Sequence, residues 1–442
     1  MASGPLPGFR DFYPGELAER SHVMRAWRDV ARRFGFVEYD GPPLEPLELY
    51  TRKSGDEIVG QLYSFEDKGG RAVALRPEMT PTFARMVGAR AGALRKPVRW
   101  FSVPQLFRYE RQQKGRLREH FQLNVDIVGE TDVVADAELL AVAIEIMRQL
   151  GLGPEDVRAR VSDRRLLAAL LGDLGVTEGQ LPAVYAAVDK IEREPRESLE
   201  RKLADAGLDA PAVASLYRLV AERPFEEVRE ELSGRPALAE HLARLDAYLA
   251  ALEALGVRDW VRVDLTIVRG LAYYTGIVFE LFDARGEFRA ICGGGRYDTL
   301  LAALGGTDLP ALGFGMGDVV LGELLRARGL LHVAPAGVDY WVVAGEDVRP
   351  AAVLRAAAAL RRRGLSADYV LNSVRLATQK TRAQLQTAQK AGAARALVVR
   401  ADGTGEIRLL QGEAPGYPRV IHLDQLDATG AAGDPADLPT LS

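Results

Sequence analysis

The chain has 442 residues, of which 48% are apolar, and a formal net charge of -4. This length exceeds that of one typical domain and predicts two or three. The small net charge gives no indication of nucleic-acid binding by the chain as a whole, so any RNA contact would depend on local basic patches.

Two further features restrict location and chemistry. No apolar run approaches the roughly 20 residues that span a bilayer. The first stretch, MASGPLPGFRDFYPGE, contains prolines and acids instead of a basic and apolar leader, which predicts a cytoplasmic location. The single cysteine, Cys292, excludes an internal disulfide framework and a multi-cysteine zinc site. Within AICGGGRY we expect it to be a small buried residue rather than a catalytic thiol.

The first predicted element is an amphipathic helix over residues 17–33, where Trp27 and Val30 belong to an apolar stripe at helical spacing. A short strand with three prolines follows in VEYDGPPLEPLELY. Pro42 is the first of these prolines, which belong at sheet edges or in rigid turns. The segments LYSFED and RAVALR, separated by KGG, predict a β-hairpin.

The hairpin leads into ALRPEMTPTFARM, which predicts the start of a helix. Thr80 precedes Pro81, so it fits an N-cap with proline in the first turn. Glu78, just ahead of the helix, has no evident role in local structure.

The stretch WFSVPQLFRYERQQKGRLREHFQLNVDIVG predicts two strands joined by a long basic loop. On the second strand Gln122, Asn124 and Asp126 share one face, and the residues between them form an apolar stripe. Arg108 and Glu110 share a face of the first strand. A polar face of this kind is most often solvated, but the basic loop RQQKGRLREH suits a polyanionic ligand and favours a binding face.

The middle of the chain changes pattern twice. From about residue 156 to 259 it predicts short helices with Gly and Pro at their ends, without a cluster that suggests chemistry. The next stretch, VRVDLTIVRGLAYYTGIVFELFDARGEFRAICGGGRYD, predicts paired strands with DARG as a turn. Its neighbouring tyrosines, Tyr273 and Tyr274, are open to ordinary core packing. Its glycine triplet alone indicates only a tight turn.

The last part alternates strands and helices. Strands at 339–343, SADYVLN and ARALVVR, helices at 353–363 and 379–391, and a hairpin turned by DGTG predict a small mixed sheet with helices against it. Lys380, Arg382 and Lys390 on the second helix suit phosphate contacts and a solvated face equally well. The final residues have too little apolar content to fold and predict a mobile tail.

Taken together, these motifs resemble those of the class II aminoacyl-tRNA synthetases. FRYER...GRLREHFQ is most similar to motif 2 of the histidyl-tRNA synthetase family, and IVRGLAYYTGIVFE and GGGRYD resemble the two histidine-specific signatures of that family. ALGFGMGDVVLGELL resembles motif 3, a glycine-rich strand leading into a helix. Pro42 stands at the proline of motif 1, which builds the dimer interface in the family.

The resemblance implies an α+β fold and a division into domains. An antiparallel-sheet catalytic core would comprise residues 1–155 and 260–330, interrupted by a helical insertion at 156–259 that contacts the acceptor end of tRNA in that family. A small α/β domain at 336–425 resembles the anticodon-binding domain, and residues 426–442 would be the mobile tail.

It also implies the reaction. Histidine and ATP would give histidyl-adenylate and pyrophosphate, and the histidyl group would then pass to tRNA(His), with Mg²⁺ bridging the phosphates and a homodimer as the assembly. The implied ATP-binding residues are Arg108, Glu110, Arg116, His120 and Phe121. The implied histidine-binding residues are Glu78, Thr80, Gln122, Asp126, Arg269, Tyr273, Tyr274 and Tyr297.

Individual roles follow from the same resemblance. Arg108 and Arg269 would be catalytic, since two anions react only where positive charge is fixed around them. Glu78 and Thr80 would hold the substrate amino group. Glu110 would read the adenine amino group or share in holding Mg²⁺.

The histidine side chain would occupy a pocket of its own. Asp126 and Tyr274 would line the imidazole pocket, and Tyr273 and Tyr297 would form its walls.

The sequence departs from the family pattern in three places. Asp318 and Val319 stand where Glu-Arg is usual, so the arginine expected at the γ-phosphate is absent. Ala272 replaces a usual aspartate. His120 occupies the position of an aromatic ring that stacks on adenine, and Phe121 is adjacent.

Two other functions compete with the synthetase. A histidine-binding paralogue that regulates ATP phosphoribosyltransferase would fit the altered motif 3, whereas retention of Arg108, Glu110 and Arg269 favours the synthetase. A generic nucleotide hydrolase has little support, because no phosphate-binding loop with its lysine and hydroxyl is present.

Overall fold

The computed structural model describes residues 4–51, 60–110, 115–192, 194–220, 223–269, 273–331, 337–426 and 434. The chain divides into two compact units, Met1–Val333 and Ala334–Ser442. In the described ranges, no helix has the length and apolar character needed to cross a membrane.

The strands of the first unit are β1 (Val37–Glu38), β2 (Leu44–Pro46), β3 (Ser64–Glu66), β4 (Ala72–Leu75), β5 (Val98–Ser102), β6 (Gln105–Phe107), β7 (Glu119–Val128), β8 (Val157–Asp163), β9 (Val261–Val263), β10 (Ile277–Asp283), β11 (Cys292–Arg296) and β12 (Ala311–Gly317). Its helices are α1 (Pro14–Arg33), α2 (Leu47–Thr51), α3 (Thr80–Arg90), α4 (Val133–Gln149), α5 (Arg164–Asp173), α6 (Leu181–Val188), α7 (Arg196–Asp205), α8 (Ala210–Val220), α9 (Phe225–Ser233), α10 (Ala239–Ala254), α11 (Leu300–Gly305) and α12 (Asp318–Ala327).

The central sheet has the order β1-β5-β7-β12-β11-β10-β8-β9, and β6 also pairs with β7. All neighbours are antiparallel except the edge pairs β1–β5 and β8–β9. The predicted antiparallel core is therefore confirmed, as are the hairpin β3–β4 and the pairing of β10 with β11.

One predicted pattern was wrong at its start. The segment from residue 156 was expected to contain only helices, but β8 is a strand of the central sheet. Val157, Ala159 and Val161 are buried on alternate positions of VRARVSD, and this period-2 signal is typical of a strand. Helices α5–α10 then fill the chain between β8 and β9.

Helices α1 and α4 cover one face of the central sheet. Trp27 and Val30 of α1 are fully buried in the same cluster as Leu123 and Val125 of β7. The predicted covering helix is therefore confirmed, and the apolar stripe of β7 faces it. This packing leaves the other face of β7 for polar side chains.

The second unit contains β13 (Tyr340–Ala344), α13 (Pro350–Arg362), β14 (Ala367–Asp368), α14 (Ser373–Thr378), α15 (Thr381–Lys390), β15 (Arg395–Val399), β16 (Thr404–Leu409) and β17 (Arg419–His422). Its sheet has the order β14-β13-β15-β16-β17, with parallel and antiparallel pairs, which confirms the predicted mixed sheet. Lys380, Arg382 and Lys390 are exposed. Of the predicted tail, only Leu426 and Asp434 lie within the described residues, and Asp434 accepts a hydrogen bond from Arg395 at 2.5 Å.

Candidate active site

Glycines opposite the polar face of β7 give its side chains room. Gly313 pairs with Asp126 and Gly315 with Asn124 in the β7–β12 ladder. A Cβ on Gly313 would collide with the Asp126 carboxylate, and one on Gly315 would meet the Gln122 side chain at 2.9 Å. The glycine-rich pattern of β12 therefore opens the space above the sheet.

A cavity of about 100 Å³ lies on this face. Its lining includes all of the predicted histidine-binding residues: Glu78, Thr80, Gln122, Asp126, Arg269, Tyr273, Tyr274 and Tyr297. These residues come from β7, the start of α3, the segment before β10 and the end of β11, so chain positions about 200 residues apart meet here.

Asp126 lines this small cavity and is 5% exposed. It accepts a hydrogen bond from the Tyr297 hydroxyl. Burial raises the pKa of Asp126 to about 7, although the bond from Tyr297 opposes the rise. Burial also raises the pKa of Tyr297, so the phenol keeps the proton that it donates.

Three tyrosine rings form one wall. The ring centroids of Tyr273 and Tyr274 are 4.7 Å apart, and those of Tyr273 and Tyr297 are 5.9 Å apart with a near-perpendicular arrangement. Tyr273 therefore packs against aromatic neighbours and lines the cavity at once.

Arg269 has unusual backbone geometry and a carboxylate partner. Its φ is 57°, in the left-handed region that costs a non-glycine residue about 1–3 kcal/mol. Its Nη1 donates to Glu280 Oε1 at 2.5 Å. Burial alone would lower the pKa of Arg269, but Tyr274 and Glu280 raise it above the ordinary value. The guanidinium is therefore charged and held above Gly293, where a Cβ would collide with it.

The start of α3 corrects one local prediction. Thr80 is the first residue of the helix and not its N-cap, since Met79 takes the cap position in a helical backbone conformation and no side-chain cap bond forms. The Thr80 side chain instead belongs to the lining of the small cavity together with Glu78.

A larger cavity of about 1060 Å³ adjoins the small one. Arg108, Glu110, Arg116 and His120 line it. The Arg108 Nε donates to the Pro77 carbonyl at 3.0 Å, and Arg116 forms an ion pair with Glu110 at 3.3 Å.

His120 lies in the wall of this larger cavity as a neutral ring. Burial and the positive charges of Arg108 and Arg10 lower the pKa of His120 to about 3. The imidazole is therefore uncharged at neutral pH.

Phe121 is the one predicted ATP-binding residue that does not line either of these cavities. Its ring lies under the Arg20 guanidinium at 4.5 Å and meets Phe12 edge-on. Adjacent residues of a strand point to opposite faces, so Phe121 and His120 do not share a site.

The two residues that depart from the motif 3 pattern, Asp318 and Val319, lie in different surroundings. Asp318 is buried, pairs with Arg10 at 3.0 Å and accepts the Phe121 backbone N–H at 2.9 Å. Val319 lines the larger cavity and brings no charge to it. Ala272, the departure in the first histidine-specific signature, lies outside the described residues.

Glu280 and Asn124 belong to the site but had no predicted role. Glu280 is the one charged residue within the otherwise apolar run IVFELF, and this contrast could have indicated it. Cys292 is buried, as expected, and burial raises the pKa of its thiol above the ordinary value. Across the described ranges, no group of three or more His, Cys, Asp or Glu side chains is arranged to hold a metal ion.

A mainly antiparallel sheet that carries its cavities on one face, with a glycine-rich strand leading into a helix, is the architecture that the resemblance to class II aminoacyl-tRNA synthetases implies. The family model described as Histidyl-tRNA synthetase matches residues 8–317. The chain belongs to the histidyl-tRNA synthetase family.

Individual relatives agree with this assignment. The chain is 47% identical to a histidine–tRNA ligase of Opitutus terrae, over 84% of this chain and 85% of that protein. It is 41% identical to a chloroplastic/mitochondrial histidine–tRNA ligase of Arabidopsis thaliana, over 84% and 75% of the two chains. A crystal structure of histidyl-tRNA synthetase from Nostoc sp. PCC 7120 shares the fold, with a TM-score of 0.80 at 22% identity over 97% of this chain and 98% of that one.

Proposed function

We propose that this chain activates histidine with ATP and transfers the histidyl group to the terminal ribose of tRNA(His). The observation that carries the proposal is the junction of the two cavities, because Arg108, Gln122 and Arg269 line both. An amino acid in the small cavity and ATP in the large one would meet at these side chains.

The chemistry at the junction requires fixed positive charge. The histidine carboxylate would attack the α-phosphorus of ATP and expel pyrophosphate, and both reactants are anions. Arg108 and Arg269 would hold them in line and stabilise the charge that develops on the phosphoryl oxygens. A protein nucleophile is not required, which agrees with the raised pKa of the buried Cys292 thiol.

Selection of histidine would depend on Asp126 and the tyrosines of the small cavity. Asp126 can accept a hydrogen bond from an imidazole N–H, and the rings of Tyr273 and Tyr274 give an aromatic wall. An amino acid without a ring N–H would leave Asp126 with its bond from Tyr297 alone, and a buried carboxylate oxygen without a partner is costly. Glu78 and Thr80 would receive the substrate ammonium group.

ATP would occupy the larger cavity. His120 would stack on adenine as a neutral ring, and Arg116 and Glu110 would approach the base and the phosphates. Mg²⁺ binds chiefly through substrate phosphates and one or two carboxylates, so the single carboxylate of Glu110 fits such a site. When bound, the ion neutralises phosphate charge.

The names of the relatives favour the ligase over the regulatory paralogue. Curated proteins that are 47% and 41% identical over 84% of the chain are named histidine–tRNA ligase. Retention of Arg108, Glu110 and Arg269 in the cavity walls points the same way.

We further propose a cytoplasmic homodimer joined through the region of motif 1. Val37, Leu44 and Phe65 of β1–β3 are apolar side chains that are 62%, 38% and 52% exposed, and a second copy would cover them. Helices α5–α10 would approach the acceptor end of tRNA, and the second unit would bind the anticodon.

The test is exchange of labelled pyrophosphate into ATP by the purified protein, with each amino acid supplied in turn. We expect exchange with histidine alone. Absence of exchange together with measurable histidine binding would favour the regulatory paralogue over the ligase. Exchange with several amino acids would contradict the assigned role of Asp126.

A further inference from the structure

Helix α12 begins at the wall of the larger cavity without a positive charge. Val319 and Val320 line the cavity there, where the resemblance to motif 3 leads one to expect an arginine. A polyphosphate bound against two valines would lack a counter-charge from this helix.

Arg289, on the segment between β10 and β11, lines the same cavity. The surroundings of Gly115 show how close Arg289 lies to these valines. A Cβ built on Gly115 would lie 3.3 Å from Val320 Cγ2 and 3.9 Å from Arg289 Cδ. The Arg289 side chain therefore flanks the same point of the wall as the start of α12, although it comes from a different part of the chain.

The wall beside Val320 also contains an acid. Glu323 Oε2 would lie 4.0 Å from the same Cβ position on Gly115. A carboxylate there repels a polyphosphate, so binding at this wall needs a guanidinium close by. Arg289 is placed to supply it, and arginine can bind phosphate oxygens through two N–H groups at once.

We propose that Arg289 binds the β- and γ-phosphates of ATP and replaces the arginine that motif 3 lacks. This assignment rests on the proposed function, because it requires ATP in the larger cavity. It makes Arg289 a substrate-binding residue that acts on ATP and on the pyrophosphate product.

The experiment compares Arg289→Ala with Arg285→Ala in histidine-dependent pyrophosphate exchange. Arg285 lies on the same exposed segment but is not among the residues that line the cavity. Arg285→Ala therefore removes the same positive charge without changing the cavity wall. Loss of a charge-assisted hydrogen bond predicts a rise in the KM for ATP of about tenfold to a hundredfold in Arg289→Ala. The KM for ATP of Arg285→Ala should stay within about twofold of the unaltered protein.

A second measurement separates phosphate binding from a structural effect. A non-hydrolysable sulfamoyl analogue of histidyl-adenylate has no β- or γ-phosphate, so its affinity should be the same in Arg289→Ala and in the unaltered protein. Equal weakening of ATP and of this analogue would overturn the proposal. So would an unchanged KM for ATP in Arg289→Ala. Absence of exchange in the unaltered protein would instead refute the proposed function itself.

Discussion

Replacement of Asp126 by asparagine should stabilise the protein while impairing its activity. The pKa of Asp126 rises from 3.8 to about 7 on folding because the carboxyl is buried. The folded protein therefore binds more protons than the unfolded chain between about pH 4 and 7, and stability is lost as the pH rises through this window. The shift of about 3 pKa units corresponds to a cost of about 4 kcal/mol above pH 7.

Asparagine carries no charge, so Asp126→Asn escapes this cost, and its carbonyl can still accept the Tyr297 hydroxyl. The cost to the unaltered protein is about 2 kcal/mol at pH 5 and about 4 kcal/mol at pH 8. The thermal midpoint of the variant should therefore exceed that of the unaltered protein by a few degrees more at pH 8 than at pH 5.

The assay is thermal unfolding followed by circular dichroism without ligands at both pH values. Asp67→Asn is the control, because hydrogen bonds from the backbone N–H groups of Arg71 and Gly69 lower the pKa of Asp67. Its carboxylate is therefore charged at both pH values, and the midpoint difference of this variant should not change between them. In exchange assays Asp126→Asn should lose at least about tenfold in kcat/KM for histidine. A midpoint difference that does not change with pH would refute the reasoning about the buried charge.

The remaining predictions concern the cavity walls. Arg269→Ala should abolish adenylate formation and leave the far-ultraviolet circular dichroism unchanged, whereas near-normal exchange would remove its assigned role. Gly313→Ala should weaken histidine binding at least about tenfold, because its Cβ collides with the Asp126 carboxylate. Gly172→Ala is the control, because a Cβ at this position has no atom within 4 Å, and this variant should bind histidine normally. Because the pKa of His120 is about 3, the KM for ATP should not change with pH near 6.5 through titration of this ring. The pH dependence of the KM for ATP should therefore be the same in His120→Phe and in the unaltered protein. A change in KM near pH 6.5 that is absent in His120→Phe would contradict this prediction.

Local patterns predicted much of the core. The period-3.6 stripe around Trp27 and the alternation in β7 each follow from one continuous run of residues, and both elements are present. The glycine-rich strand and following helix of motif 3 are also present, as β12 and α12.

Features that depend on distant neighbours were not accessible in this way. The Arg269–Glu280 pair requires knowing that the Arg269 side chain lies beside β10. The position of Thr80 depended on a one-residue shift in the helix start, which exposed its side chain to the cavity. The separation of His120 from Phe121 followed from strand alternation, but two adjacent aromatic rings made the choice ambiguous until the face of β7 was known.

Charging of tRNA(His) tests the central claim most directly. The purified protein, incubated with ATP, Mg²⁺ and labelled histidine, should transfer label to tRNA(His) in acid-precipitable form, and the label should be released by mild alkali as expected for an ester. Transfer should stop in Arg269→Ala. Histidine-dependent pyrophosphate exchange without any transfer to tRNA(His) would contradict the account.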